Sequence, residues 1–197
     1  MDKPTKNNFP INDLAKQRWS PRAFSEKPVE KEKLASLFEA ARWAPSAFNE
    51  QPWRFIVGIK GSKTYDQILQ SLVEWNQMWA GKAPVLVVNI ARKTFTHNNK
   101  PNATTQYDLG QAVAFMLIEA VNQGLISHEM SGFDAETAAR SLEIPEDYQA
   151  VSVTAIGYYG DADLLPGDML QSEKEERKRR SQDEMVFGGK FGEVLKY

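Results

Sequence analysis

Two arginines flank a hydroxyl in Arg18-Trp19-Ser20-Pro21-Arg22. Pro21 pushes Ser20 toward an extended conformation, and in an extended chain positions 18, 20 and 22 project to one side. Two guanidinium groups around a hydroxyl make a fork suited to a phosphate monoester or another compact anion. A pair of surface arginines in a loop reads the same way. The second stretch is Ala44-Pro45-Ser46-Ala47-Phe48-Asn49-Glu50-Gln51-Pro52-Trp53-Arg54-Phe55. Its prolines stiffen it, and Ser46, Asn49 and Gln51 offer hydrogen bonds to a planar heterocycle. It joins a helix to a strand, where loops gather functional residues, but an ordinary connection with two proline turns would have the same composition.

The elements that must position these stretches follow from periodicity. In 30–44, Leu34, Leu37, Phe38 and Ala41 recur at helical spacing, and Pro45 stops the helix. Residues 54–60 and 84–91 are short, branched and aromatic, and read as strands. A helix over 63–75 joins them. Residues 107–123 form a helix apolar nearly all round, so buried on most sides, with Gly124 as its C′ residue. A short helix over 134–142 and a third strand over 150–159 follow. Helices between strands predict a layered α+β domain with one buried helix. Residues 93–106 are polar and predict a mobile loop, and 160–171, rich in Asp, Pro and Gly, predict a linker.

Composition removes several classes of function. A chain of 197 residues with 42% hydrophobic and 25% charged residues is an ordinary globular protein. The net charge of -2 gives no footprint for nucleic acid or anionic membrane. The basic run Arg177-Lys178-Arg179-Arg180 is cancelled by Glu173, Glu175, Glu176, Asp183 and Glu184 around it. Without cysteine there is no disulfide, thiolate metal site or cysteine nucleophile, which fits a cytoplasmic location. Residues 1–10 lack the apolar core of a signal peptide, and the longest apolar run, 112–118, is far too short to span a membrane. There is no G-x-G-x-x-G, P-loop, G-x-S-x-G or H-E-x-x-H, and His97 and His128 have no companions at metal spacing.

Taken together and in this order, Arg-x-Ser-x-Arg and Ala-Pro-Ser-x-x-Asn-x-Gln-Pro-Trp-x-Phe resemble the FMN-binding signature of the nitroreductase family. The likeness continues through Asn76, through Gly124-Leu125 with Gly132-Phe133-Asp134, and through Arg177 and Arg179 ahead of 184–187. It implies a three-layer α/β/α sandwich with a mostly antiparallel sheet and a buried central helix. It further implies one domain over 1–197, whose C-terminal extension from about 160 contributes to a homodimer with FMN at the interface.

Carried over, Arg18, Ser20, Arg177 and Arg179 hold the phosphate, with Trp19 beside them, and Arg22 lies toward the pyrimidine edge. Pro45, Ser46, Ala47 and Asn49 come from the partner subunit. Asn76 bonds the polar edge of the ring, and the backbone of Met130, Ser131 and Gly132 meets flavin N5. The implied activity transfers electrons from NAD(P)H to a nitroaromatic, quinone or related conjugated acceptor by a ping-pong cycle. Flavin binding with little turnover, or oxidase or desaturase chemistry, is the alternative on the same scaffold. Two positions depart from patterns seen in some members: Trp79 replaces a lysine, and Ser131 replaces a glutamate. Residues 93–106 fall at the family's variable cover, which would bring Phe95 and His97 toward substrate.

Overall fold

The computed structural model describes residue 3 and residues 5–196 of the chain. It begins with α1 (Asp13–Gln17), capped by the Asn12 side chain, which accepts the Leu14 N–H, and β1 (Phe24–Ser25). Then come α2 (Lys31–Arg42), β2 (Trp53–Ile59), α3 (Lys63–Ser71), α4 (Glu74–Ala80) and β3 (Val85–Arg92). The second half holds α5 (Thr105–Asn122), β4 (Ile126–Met130), α6 (Ala135–Ser141), β5 (Tyr148–Tyr159) and α7 (Gly167–Lys174).

All strand pairings are antiparallel. β3 lies between β2 and β5, while β4 and β1 share the other edge of β5. The pleat of β3 divides the core into two faces. Val85, Val87 and Ala91 pack with Leu37 and Ala41 of α2 and with Leu109, Val113 and Met116 of α5. Leu86, Val88 and Ile90 pack with Tyr65 and Ile68 of α3, Trp79 of α4 and Met169 of α7. Helices on both faces of one sheet give the expected three-layer α+β sandwich. Each fully buried side chain of this size contributes roughly 1.5–3 kcal/mol.

Three local readings change. The helix expected over 63–75 is two helices, because Leu72 is extended and bridges to Phe133, while Val73 N–H bonds Gly132 O at 3.1 Å. These contacts turn the start of α4 toward the end of β4. The linker over 160–171 contains the start of α7, whose Met169 and Glu173 are buried. The loop over 93–104 is cross-tied: Phe95 N–H reaches Lys100 O, and Asn102 N–H reaches Lys93 O, at 2.9 and 2.8 Å. α5 buries one side against the sheet, but Tyr107 and Phe115 are 72% and 45% exposed. Gly110 and Ala114 lie exposed between them.

Candidate functional site

Half of the fork expected from the spacing forms: Arg18 Nη1 donates to Ser20 Oγ at 3.3 Å, while Arg22 Nη1 reaches Ser172 Oγ at 3.4 Å and does not join them. The chain returns 159 residues later to complete it. Arg177 donates to the carbonyls of Lys3, Lys16 and Arg18 at 3.1, 2.5 and 2.6 Å, closing the end of α1. Burial, with the Arg177 and Arg179 charges beside it, holds Arg18 below its ordinary pKa. Among the described residues, no carboxylate lies in ion-pair range of these three arginines. They line a cleft of about 690 Å³. Like charges gathered without a counter-ion favour an anion between them.

Arg22 is held on α7. The buried Glu173 carboxylate accepts its backbone N–H at 3.0 Å and that of Ala23 at 3.2 Å, and Arg22 Nη1 reaches Ser172 Oγ at 3.4 Å. Nothing in the sequence marks Glu173 out from the other acids of its segment. The Pro21 carbonyl meets His128 Nδ1 at 3.0 Å, and the imidazole packs on Trp79 at 4.5 Å between ring centroids. Trp79 is 1% exposed and also stacks on Phe24. It replaces a lysine by a core side chain turned inward, so this position brings no cation to the site. One turn earlier on α4, Asn76 Nδ2 donates to Gly132 O at 3.0 Å. A Cβ at Gly132 would lie 2.7 Å from that nitrogen, so a larger residue would have to displace the Asn76 side chain. Met130 is buried and Ser131 exposed beside it.

His128 ties the Arg18–Arg22 segment to β4, and burial pushes its pKa down from 6.5 to about 4. The sign follows from linkage. Above pH 6.5 the imidazole is neutral in both states and its share of stability is complete; between 6.5 and 4 the unfolded chain takes the proton first. Stability should therefore fall by about 3 kcal/mol across that window. Urea unfolding at pH 7 and pH 4.5 should show a smaller loss for His128→Gln than for the wild type. An equal loss would mean that His128 is not buried as a neutral ring.

The remaining residues form a second group. Ala47 N–H donates to the buried Asp108 carboxylate in the first turn of α5 at 3.2 Å, and Ser46 Oγ accepts Gln51 N–H at 3.0 Å. Phe48, Asn49 and Gln51 are left-handed, with φ of 54°, 55° and 51°. Such residues cost on the order of 1–3 kcal/mol each, and strain of this kind gathers at functional sites. Trp19, by contrast, faces Val121, Gly124 and Leu125 at the other end of α5 across a cavity of about 360 Å³. α5 has 18 residues and is about 27 Å long. Within one chain, the Pro45–Asn49 group therefore lies a helix length from Trp19 and Arg18.

The fold and site define a three-layer α+β domain with a cationic cleft between the N-terminal segment and the stretch after α7. The sequence profile of the nitroreductase family matches residues 15–77 and 58–158, and the chain belongs to that family. A solved oxidoreductase containing FMN is 35% identical, with a TM-score of 0.90 over 95% of this chain and 96% of its own. A nitroreductase family protein from Clostridium difficile 630 is 24% identical, with a TM-score of 0.70 over 90% and 97% of the two chains, and shares the fold. An uncharacterized 15.4 kDa protein in the ask 5'region of Mycolicibacterium smegmatis is 30% identical over 152 residues, 72% of this chain and 99% of that protein. No helix among the described residues is long and apolar enough to cross a membrane.

Proposed function

We propose that this chain is an FMN-dependent oxidoreductase that moves electrons from NAD(P)H to a nitroaromatic, quinone or related conjugated acceptor. It works as a homodimer by a ping-pong cycle. The observation that carries this reading is the Arg18, Arg177 and Arg179 cluster, which gathers three cations without a carboxylate partner. A dianionic phosphate fits it, and the glycine at 132, where a side chain would push Asn76 aside, fits close approach of a ring to the backbone. The FMN-containing structure at 35% identity supports the same cofactor.

When bound, FMN would supply the redox chemistry, a two-electron exchange between nicotinamide and acceptor. The chain binds and orients. Arg18, Ser20 and Arg179 would hold the phosphate, while Arg177 anchors the Arg18 carbonyl and adds charge. Asn76 spends its NH₂ on Gly132, which leaves Oδ1 to accept from the polar edge of the ring. Arg22, its backbone fixed by Glu173, would supply a cation to offset the negative charge that collects on the ring on reduction. The exposed stripe of Tyr107, Gly110, Ala114 and Phe115 on α5 is an apolar face with small residues at its centre, suited to a second copy. The segment from about 160, with Met185 and Phe191 exposed, extends that interface.

Refolding with FMN, FAD and riboflavin together tests the cofactor. The expected product is yellow, with FMN at about one per subunit and released by denaturation. FAD in the product, or no flavin, would overturn the proposal.

A further inference from the structure

We infer that Glu173 is a positioning residue: with Arg177 it sets the spacing between the cation proposed for the phosphate, Arg18, and the cation proposed for the ring, Arg22. This rests on the flavin-site reading above. Residues 18–23 run from α1 to β1 with no helix or strand of their own, so their neighbours must fix their course. The stretch 172–177 does so at both ends. At the ring end, Arg22 N–H meets Glu173 Oε1 at 3.1 Å and Oε2 at 3.0 Å, and Ala23 N–H meets Oε1 at 3.2 Å. At the phosphate end, Arg177 donates to the Arg18 carbonyl at 2.6 Å.

The residue type is informative. Glu173 is 1% exposed, and among the described residues it has no salt-bridge partner. A buried carboxylate is unfavourable unless hydrogen bonds compensate it, and here backbone amides of the Arg18–Arg22 segment do so. An amide side chain of the same length would offer one oxygen, where the carboxylate offers two. The same stretch also holds the chain start: Ser172 O accepts Lys3 Nζ at 3.3 Å, and Arg177 reaches the Lys3 carbonyl at 3.1 Å. Arg18 and Arg22 are thus tied to one short piece of chain and not to each other. A residue that only stapled α7 to the domain would change stability and leave the flavin's own properties alone.

The test compares the wild type with Glu173→Asp, which keeps the carboxylate and shortens its reach, and with the isosteric Glu173→Gln. Circular dichroism and mass in solution are measured first. Without flavin, hydrogen exchange at the Arg22 and Ala23 amides should be roughly tenfold faster in both variants. FMN and riboflavin should weaken together, roughly three- to tenfold, because the ring end moves while the phosphate cations remain. In Glu173→Asp, reduced flavin should lose about threefold more affinity than oxidised flavin, read by spectroelectrochemistry as a fall in midpoint potential. Where Glu173→Asp does not fold, Glu173→Gln answers by exchange and affinity. Unchanged exchange at both amides, or a loss of FMN with riboflavin unaffected, would overturn the positioning role. So would a fall in stability with flavin affinity and potential unchanged, which would leave Glu173 a staple of α7. A wild type that binds neither flavin would sink the function proposed above, and amide exchange would then decide by itself whether Glu173 holds the segment.

Discussion

Arg18→Glu subunits co-expressed with Asn49→Ala subunits, and isolated as heterodimers through different tags, are expected to recover about half of wild-type activity and flavin content although each parent is poor. The basis is the length of α5. Ala47 is held at its first turn by Asp108, whereas Trp19 sits beside Val121 and Gly124 at its far end. A ligand gripped at Arg18 would have to run the helix to meet Asn49 of the same chain. In the proposed two-fold dimer each site would take Arg18 from one copy and Asn49 from the other. The mixed dimer then has one doubly damaged site and one with every residue native. Gel filtration must first show that both single variants dimerise. A heterodimer no better than its parents would place both residues in one site of one chain.

Removing a phosphate cation should have the second largest effect. Arg18→Ala or Arg179→Ala is expected to weaken FMN by about 1.5–3 kcal/mol, roughly 10- to 150-fold, the scale of a charge-assisted hydrogen bond. Riboflavin, which lacks the phosphate, should bind poorly to the wild type and be almost indifferent to either change. Arg177→Ala should differ, because its guanidinium also closes the carbonyls of Lys16 and Arg18. Its loss should weaken both ligands and loosen α1. Flavin titrations monitored by absorbance measure all three. Equal losses of FMN and riboflavin for Arg18→Ala would show that the residue does not serve the phosphate.

Much of the architecture was legible because its signals are local. The apolar spacing of 30–44 gave α2, the branched run at 84–91 gave β3, and the Asp134 cap preceded α6 within a residue. The two motif stretches were legible as a pair, because their residue types in this order resemble the family's signature, while each alone fitted an ordinary loop. β1 and β4 were not, since two and five residues carry little alternation and are strands only because β5 offers an edge. The break at Leu72 was hidden too, because the bond that diverts it comes from Gly132.

The sequence by itself determined the layered alternation of helices and strands, the arginine–serine pairing and the proline-stiffened loop, all of them properties of near neighbours. The tertiary structure decided which of these share a site. It brought Arg177 to the Arg18 carbonyl and Glu173 to the Arg22 backbone, and it set Asn76 against Gly132. It also turned Trp79 into the core and carried the Pro45–Asn49 group to the far end of α5. These contacts join residues 56 to 159 positions apart. At such separations no periodicity links the partners, and only burial, backbone pairing and the exclusion of like charges from the core select who meets whom.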